Sequence, residues 1–475
     1  MYNIRKIVSN LGFFLQITGL LLILPIAIGL QGGELQAVSS LIATCFLSFG
    51  AGFIFNSFCE RKELDDRTSL WLMLVTFTII PLVLMIPYVW NNVFASGNPF
   101  DLLTNAYFET VSGFTTTGFS FIAQPEISLP MSLLFYRSLV EFIGGVGFIY
   151  ILAAFLYPNE SLENYAETFG VHKLGDNLRK VFASILLIYT VFVALFTVIF
   201  YFTYSPNPPN LVVASCAAID VLTGGYQPNI TAGIGIFQVS TLILMLLGSF
   251  NFSFHYNLFR LKFRSLLKSE IKLYLEIIVV ATVVISILAW VNPFDSLFHV
   301  ISMMSSTGID YINIGISPVG AKIIFIIIGL IGGCTFSMAG GIRIQRIRTL
   351  INAIKKKSDK PTREELKATL SSVIGFFAIL FIISLVFSTI GISLLDSVFE
   401  MGSALTTNGI SMGVTTVTMP MGYKWLLIFA MIVGRIEIVA IFKAITGLPL
   451  SGALKRLGAA LRKAIKRKKP SYLST

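Results

Sequence analysis

The residues of this chain best suited to chemistry are hydroxyls and glycines, set among apolar segments. Glu109 to Ser120 reads ETVSGFTTTGFS, and comparable runs recur as IDVLTGGYQ, MMSSTGIDY and ALTTNGISM. Their anchor glycines are Gly118, Gly224, Gly308 and Gly409. One residue earlier stand Thr117, Thr223, Thr307 and Asn408, and two earlier Thr116, Leu222, Ser306 and Thr407. Six earlier stand Ser112, Ala218, Ser302 and Ser403; nine and ten earlier are Phe108-Glu109, Phe298-His299 and Phe399-Glu400, with Ala214-Ser215 the exception. Agreement at several offsets, at intervals of roughly a hundred residues, points to four divergent internal repeats. Thr and Gly in apolar segments also serve helix packing, but that role does not require four runs at matching offsets.

Glycine permits backbone conformations that turn successive carbonyl oxygens inward. Four such loops in a ring can replace the hydration shell of a monovalent cation, with Thr and Ser hydroxyls adding oxygens or bracing the loops. No dense carboxylate ring accompanies the runs, which argues against a site built for divalent cations. Asp220 and Asp310 lie near the loops, where they would enrich cations at the mouth or serve as loop and cap residues.

The elements that must position these loops follow from composition. The chain has 475 residues, 55% hydrophobic and only 12% charged, which indicates a polytopic membrane protein. Apolar runs of the roughly 20 residues a bilayer demands are found at 11–30, 36–57, 70–90, 132–157, 181–203, 235–256, 272–291, 320–338, 368–391 and 425–447, about ten spans. The expected fold class is all-α. Each repeat reads as a full span, a Pro/Asp start signal, a segment of about ten residues too short to cross, the hydroxyl-glycine run, and a second full span. The short segments should therefore be re-entrant, since irregular backbone at membrane depth must be buried in protein or line water. Their C-terminal ends would aim a negative dipole at a central cation. The organisation expected is two N-terminal helices (1–58), pore repeats at 68–157, 178–258, 271–353 and 366–447, and a basic tail at 448–475. Arg5 and Lys6 precede a first apolar run too long for a secretion signal and without a small-residue cleavage site.

The formal net charge of +11 is distributed by connection. Lys and Arg gather at Arg5–Lys6, Arg61–Arg67, Lys173–Lys180, Arg260–Lys272, Arg343–Lys367 and Lys443–Lys469. The alternate connections 32–35, 92–130, 204–234, 292–319 and 392–423 contain neither residue. This bias places both termini in the cytoplasm and explains the charge without nucleic acid. The tail LKRLGAALRKAIKRKK suits lipid headgroups or an acidic partner. Cys45, Cys59, Cys216 and Cys334 form no C-x-x-C pair and read as small buried hydrophobes, and His172, His255 and His299 are far apart.

Two further features lie inside apolar segments. Gly332–Gly341 interrupts a span with Gly332, Gly333, Cys334, Thr335, Phe336, Ser337, Gly340 and Gly341. A broken helix exposes backbone polar groups and should line a cavity. Arg435, with Glu437 near it, is an expensive intramembrane charge; it would raise a barrier in a cation path, form a structural ion pair, or both. Arg137, Glu141 and Lys322 read as helix anchors. There is no Walker-type loop and no Rossmann glycine fingerprint, so nucleotide control would need another subunit. A membrane enzyme would need convergent acids, a Ser/Lys dyad or a metal cluster, which the motifs do not offer; a non-transporting scaffold gives no reason for the four loops.

The pattern resembles the superfamily of K⁺ transporters that includes Trk, Ktr and HKT proteins, and within it the bacterial TrkH type, over essentially the whole chain. RSLVEFIGGVGFIYI resembles the family's Gly-Gly-x-Gly helix, GSFNFSFHY its Asn-Phe-x-x-His motif, GGCTFSMAGGIRIQR its broken-helix loop, and GRIEI its Gly-Arg-Leu-Glu motif. The resemblance implies a K⁺ filter built from the anchor triplets, a gating loop below it, a homodimer with one pore per protomer, and a cytoplasmic TrkA-like nucleotide-binding ring. Gly118 and the other three anchors favour K⁺; Leu222 and Asn408 depart from the pattern and would loosen selectivity toward Na⁺, or suit a Na⁺- or H⁺-coupled relative. Phe336 and Met338 stand where the family has smaller residues, which would make the constriction more hydrophobic and able to gate by dewetting.

Overall fold

A computed structural model describes residues 4–57, 66–95, 98–151, 178–203, 210–226, 234–259, 261, 269–289, 291–312, 314, 317–354, 360–436 and 441. The elements described are all helices. Among the described residues, seven helical stretches are long and apolar enough to cross a membrane: Ile4–Gln31, Leu35–Ser57, Thr68–Trp90, Met131–Ile149, Ser184–Thr203, Glu270–Ala289 and Glu365–Ser388. The chain is a multi-pass membrane protein.

Two of the ten expected spans take another form. Residues 235–256 form two helices, Ile236–Ser249 and Phe252–Phe259, separated at Phe250-Asn251. Asn251 starts the second by accepting from the Phe254 amide at 2.9 Å, which is N-cap chemistry. Residues 320–338 supply only the helix Val319–Ile331, because Gly332 ends it at φ +70°. The last span is described as Met421–Ile436, and its remainder lies outside the described residues.

The N-terminal pair packs through glycine. A Cβ on Gly12 would fall 2.8 Å from the Gly52 carbonyl oxygen, and one on Gly52 2.6 Å from that of Gly12. Backbones in lipid approach this closely only where side chains are absent. Cys45 donates to the Gly19 carbonyl at 3.2 Å in the same seam. The pair is joined to the rest by Glu34, whose carboxylate accepts the Met131 and Ser132 amides at 2.8 and 2.9 Å. An acid at a helix N-terminus satisfies orphan donors and suits the dipole there. Cys45, Cys216 and Cys334 are free thiols, the last two buried, while Cys59 and His172 lie outside the described residues.

Four short helices stand between the long ones: Pro99–Phe114, Leu211–Thr223, Pro293–Ser305 and Leu394–Leu405. Each starts on a side-chain cap, Asn98, Asn210, Asn292 and Ser393 respectively. Pro99 and Pro293 occupy the first turn. Proline fits there because its missing donor would be unpaired anyway. The expected Asp start signals are first-turn residues, Asp101, Asp295 and Asp396, favoured by the dipole; the caps themselves are Asn and Ser. In the most apolar stretch of Met131–Ile149, 78% of the residues are buried, against 28% in Glu270–Ala289, so the first is the more enclosed of the two.

Candidate functional site

The C-termini of the four short helices run directly into the hydroxyl-glycine runs. The anchor glycines have φ of +89° (Gly118), +77° (Gly224), +71° (Gly308) and +82° (Gly409). A Cβ on Gly118 would lie 1.9 Å from the Gly225 carbonyl oxygen, and one on Gly224 2.5 Å from that of Ser306. One on Gly308 would lie 1.7 Å from the Asn408 carbonyl oxygen, and one on Gly409 1.9 Å from that of Thr117. Each loop therefore abuts the next, and the fourth returns to the first. The loops form a closed ring whose packing leaves no room for side chains at the anchors.

Three of the loops leave their helices in the same way. Thr117 N bonds Ser112 O and Thr116 N bonds Gly113 O, both at 2.8 Å. Thr307 bonds Ser302 and Ser306 bonds Met303; Asn408 bonds Ser403 and Thr407 bonds Ala404. These nested pairs are Schellman motifs, which place one residue in the left-handed region. That residue is Thr116, Ser306 or Thr407, at φ of +56°, +55° and +50°. The second loop differs. Its helix continues through Leu222 and Thr223 and ends on Gly224, whose amide bonds the Asp220 carbonyl at 3.1 Å.

The hydroxyls brace the loops. Thr115 and Thr117 pair at 2.7 Å, as do Ser305 and Thr307. The residue before the glycine in the other two loops reaches outside its own run. Thr223 meets Glu141 at 2.5 Å, and Asn408 Nδ2 donates to Met303 O at 2.8 Å. The Thr116 and Thr407 hydroxyls are buried with no hydrogen-bond partner among the described residues. Behind the ring, Glu109 accepts the Phe121 amide at 3.1 Å and pairs with Arg137 at 3.0 Å, while Glu400 accepts the Met412 amide at 3.0 Å. The offset shared by Glu109, His299 and Glu400 is visible in the sequence, but a purpose for it is not. Asp220 is buried and Asp310 half-buried.

The interrupted segment 332–343 lies against the ring. Gly340 N donates to Ser306 Oγ at 3.1 Å, and a Cβ on Gly340 would lie 2.2 Å from the Thr406 carbonyl oxygen. Cys334 and Met338 amides bond the Ser249 and Gly248 carbonyls, and Phe252 N bonds the Phe336 carbonyl, each at 3.1 Å. The break at Phe250-Asn251 thus serves the break that begins at Gly332. Thr335 N is held by Glu270 at 2.7 Å, and Ser337 Oγ bonds the Cys334 carbonyl at 2.7 Å. Gly332, Phe336 and Gly341 have positive φ, and Gly333 packs on Ala339. Arg435 donates to Met338 O at 2.8 Å and lies 4.2 Å over the Phe148 ring. Its Nε and Nη2 have no hydrogen-bond partner among the described residues, and Glu437, its expected neighbour, lies outside them.

Residues 281–448 match the family model TrkH, described as a cation transport protein. The computed structure superposes on the crystal structure of the potassium transporter TrkH from Vibrio parahaemolyticus with a TM-score of 0.77, covering 94% of this chain and 99% of that one at 19% identity. The chain has the TrkH fold. An uncharacterized cation transporter of Methanocaldococcus jannaschii is 26% identical over 466 residues, covering 92% of this chain and 94% of the relative. The Trk system potassium uptake protein TrkH of Escherichia coli is 26% identical over 423 residues, covering 80% and 85%. The resemblance to TrkH read from the sequence motifs is borne out.

Proposed function

We propose that this chain is the membrane-embedded, K⁺-translocating subunit of a Trk-type potassium uptake system. K⁺ would pass down its electrochemical gradient through the ring formed by the anchor triplets ending at Gly118, Gly224, Gly308 and Gly409. The observation that carries the reading is the closed ring, in which each anchor glycine faces a carbonyl oxygen of the next loop. Helix C-termini converge on it, which favours a cation. Glu109 and Glu400 are engaged with loop amides behind the ring, so the ring's own oxygens are backbone and hydroxyl groups, suited to a monovalent ion. An interior-negative potential supplies about 2.3 kcal/mol per charge per 100 mV, enough to accumulate K⁺ without a nucleotide site in this chain.

In this reading residues 68–157, 178–258, 271–353 and 366–447 are the four pore repeats, following 1–58 and preceding the tail 448–475, which lies outside the described residues. The segment Gly332–Gly341 and Arg435 form the gate beneath the filter. Both termini face the cytoplasm of a plasma or inner membrane, where a TrkA-like nucleotide-binding ring would dock on the basic face of a homodimer; nucleic acid has no part. Flux in proteoliposomes under K⁺ or Na⁺ gradients tests the reading. Wild type should conduct K⁺ in preference to Na⁺, and Gly118→Ser should admit Na⁺. A wild type that admits both equally makes the protein a Na⁺-permeable member of the same fold, in keeping with the departing geometry at Leu222. Absence of flux even with 332–341 shortened would overturn the transport reading.

A further inference from the structure

Three of the four loops are held from behind by a side chain of their own short helix, nine residues before the anchor glycine. Glu109 accepts from Ser120 Oγ at 2.9 Å and from the Phe121 amide at 3.1 Å. His299 Nε2 accepts the Tyr311 and Ile312 amides, each at 3.3 Å. Glu400 accepts from Ser411 Oγ at 2.7 Å and from the Met412 amide at 3.0 Å. The second loop has Ser215 at this position, and its hydroxyl turns back to the Val212 carbonyl at 2.7 Å. It is too short to reach the loop and is already used.

The acceptor comes instead from another element. Glu141, on the helix Met131–Ile151, is fully buried. Its Oε1 lies 2.5 Å from the Thr223 hydroxyl and its Oε2 accepts the Tyr226 amide at 3.2 Å. A Cβ on Gly225 would fall 2.4 Å from the carboxyl carbon, so the loop backbone rests directly on this group. Tyr226 extends the same attachment: its hydroxyl donates to Glu109 O at 2.7 Å, and Arg137 lies 3.2 Å over its ring. A buried carboxylate deprived of its donors is costly, so Thr223 and Tyr226 are held to it strongly.

We propose that Glu141 is the positioning residue of the second loop, replacing the clamp that Ser215 does not provide, and that cation discrimination at this loop depends on it. The proposal rests on the transport reading above. Two donors fix the carbonyl of Thr223 and the peptide that abuts Gly118, so losing the acceptor lets the loop widen where its neighbours remain clamped. Glu141→Gln retains a carbonyl for the Tyr226 amide and an amide for the Thr223 hydroxyl; Glu141→Ala retains neither.

The experiment is the K⁺ to Na⁺ flux ratio of wild type, Glu141→Ala, Glu141→Gln and Thr223→Val in proteoliposomes. The expected result is a ratio reduced roughly tenfold in Glu141→Ala, the scale of one lost charged hydrogen bond, and near wild type in Glu141→Gln. Thr223→Val, which deletes the hydroxyl shared between Glu141 and the Ile219 carbonyl and keeps the side-chain shape, should shift the ratio the same way and add little to Glu141→Ala. A wild-type ratio in Glu141→Ala, an equal loss in Glu141→Gln, or full additivity with Thr223→Val would overturn the proposal. A wild type that does not transport cations would overturn the transport reading itself, a separate outcome.

Discussion

Thr116, Ser306 and Thr407 hold left-handed backbone that glycine would adopt without strain. Such conformations cost roughly 1–3 kcal/mol each and persist only where the surroundings impose them. Here the Schellman pairs and the packed ring impose them, and a hydroxyl is what the strain retains. Ser306 Oγ accepts from Gly340, whereas the Thr407 hydroxyl has no partner among the described residues. Thr407→Val should therefore leave the thermal midpoint in detergent nearly unchanged while lowering K⁺ flux about tenfold, if that oxygen serves the ion; unchanged flux would assign the hydroxyl no role. Gly409→Ala is the opposite case. Its Cβ meets a carbonyl oxygen at 1.9 Å on backbone of φ +82°, so ring closure fails and both selectivity and thermal stability should fall markedly. The four glycines were legible in the sequence because glycine marks positive φ. The strained Thr and Ser were not, because their propensity argues against that backbone. Leu222 was visible as a departure, and it lies in a helix that runs two or three residues further toward its anchor than the others do.

At the scale of elements, the apolar runs located the long helices, while two breaks were only partly legible. Glycines pointed to an interruption after Ile331, but nothing local shows that the freed backbone groups of 332–343 are satisfied by Gly248 and Ser249 of a different repeat. Helix ends of that kind are tertiary facts. The same segment receives Arg435, whose guanidinium is buried, bonds Met338 O and stacks on Phe148. Its hydrogen bond ties the last helix to the segment, and in the proposed reading its charge would add to the barrier for a cation. Arg435→Gln keeps a donor for Met338 O and removes the charge. K⁺ uptake by reconstituted protein should then rise, by about tenfold for each 1.4 kcal/mol of barrier removed. A fall in uptake would mean that the cation is needed for structure alone. Glu270→Ala acts on the other side of the segment, releasing Thr335 N and Asn251 Nδ2 together. It should raise basal flux by loosening the segment without touching the ring, which a preserved K⁺ to Na⁺ ratio would confirm.

The four loops close into one ring, and side-chain bonds tie each part of it to its neighbours. The second loop is tied to the first repeat through Thr223 and Glu141, and the fourth loop to the third through Asn408 and Met303. Lys322 and Asp396, 3.5 Å apart, add a second link between the third and fourth repeats. Lys424 bridges the seam between the fourth loop and the first short helix. It is 2% exposed and donates to Asn105 Oδ1 on the first short helix at 2.7 Å and to the Val417 carbonyl at 2.6 Å. The covalent chain does not span this seam, so it is closed by packing, the backbone contact of Gly409 with Thr117 and the side-chain bonds of Lys424. Lys424→Met would leave Asn105 and Val417 without their donor in a buried site, at a cost of about 1–3 kcal/mol. The pair Lys272–Glu276 provides the comparison: its side chains are 73% and 57% exposed, and such an i,i+4 pair contributes little. Lys424→Met should lower the thermal midpoint in detergent by several degrees and reduce the K⁺ to Na⁺ ratio, because the Gly409–Thr117 contact lies at the same seam. Lys272→Met should change neither. Equal effects from the two substitutions would mean that Lys424 contributes general stability and that the ring is closed by backbone packing alone.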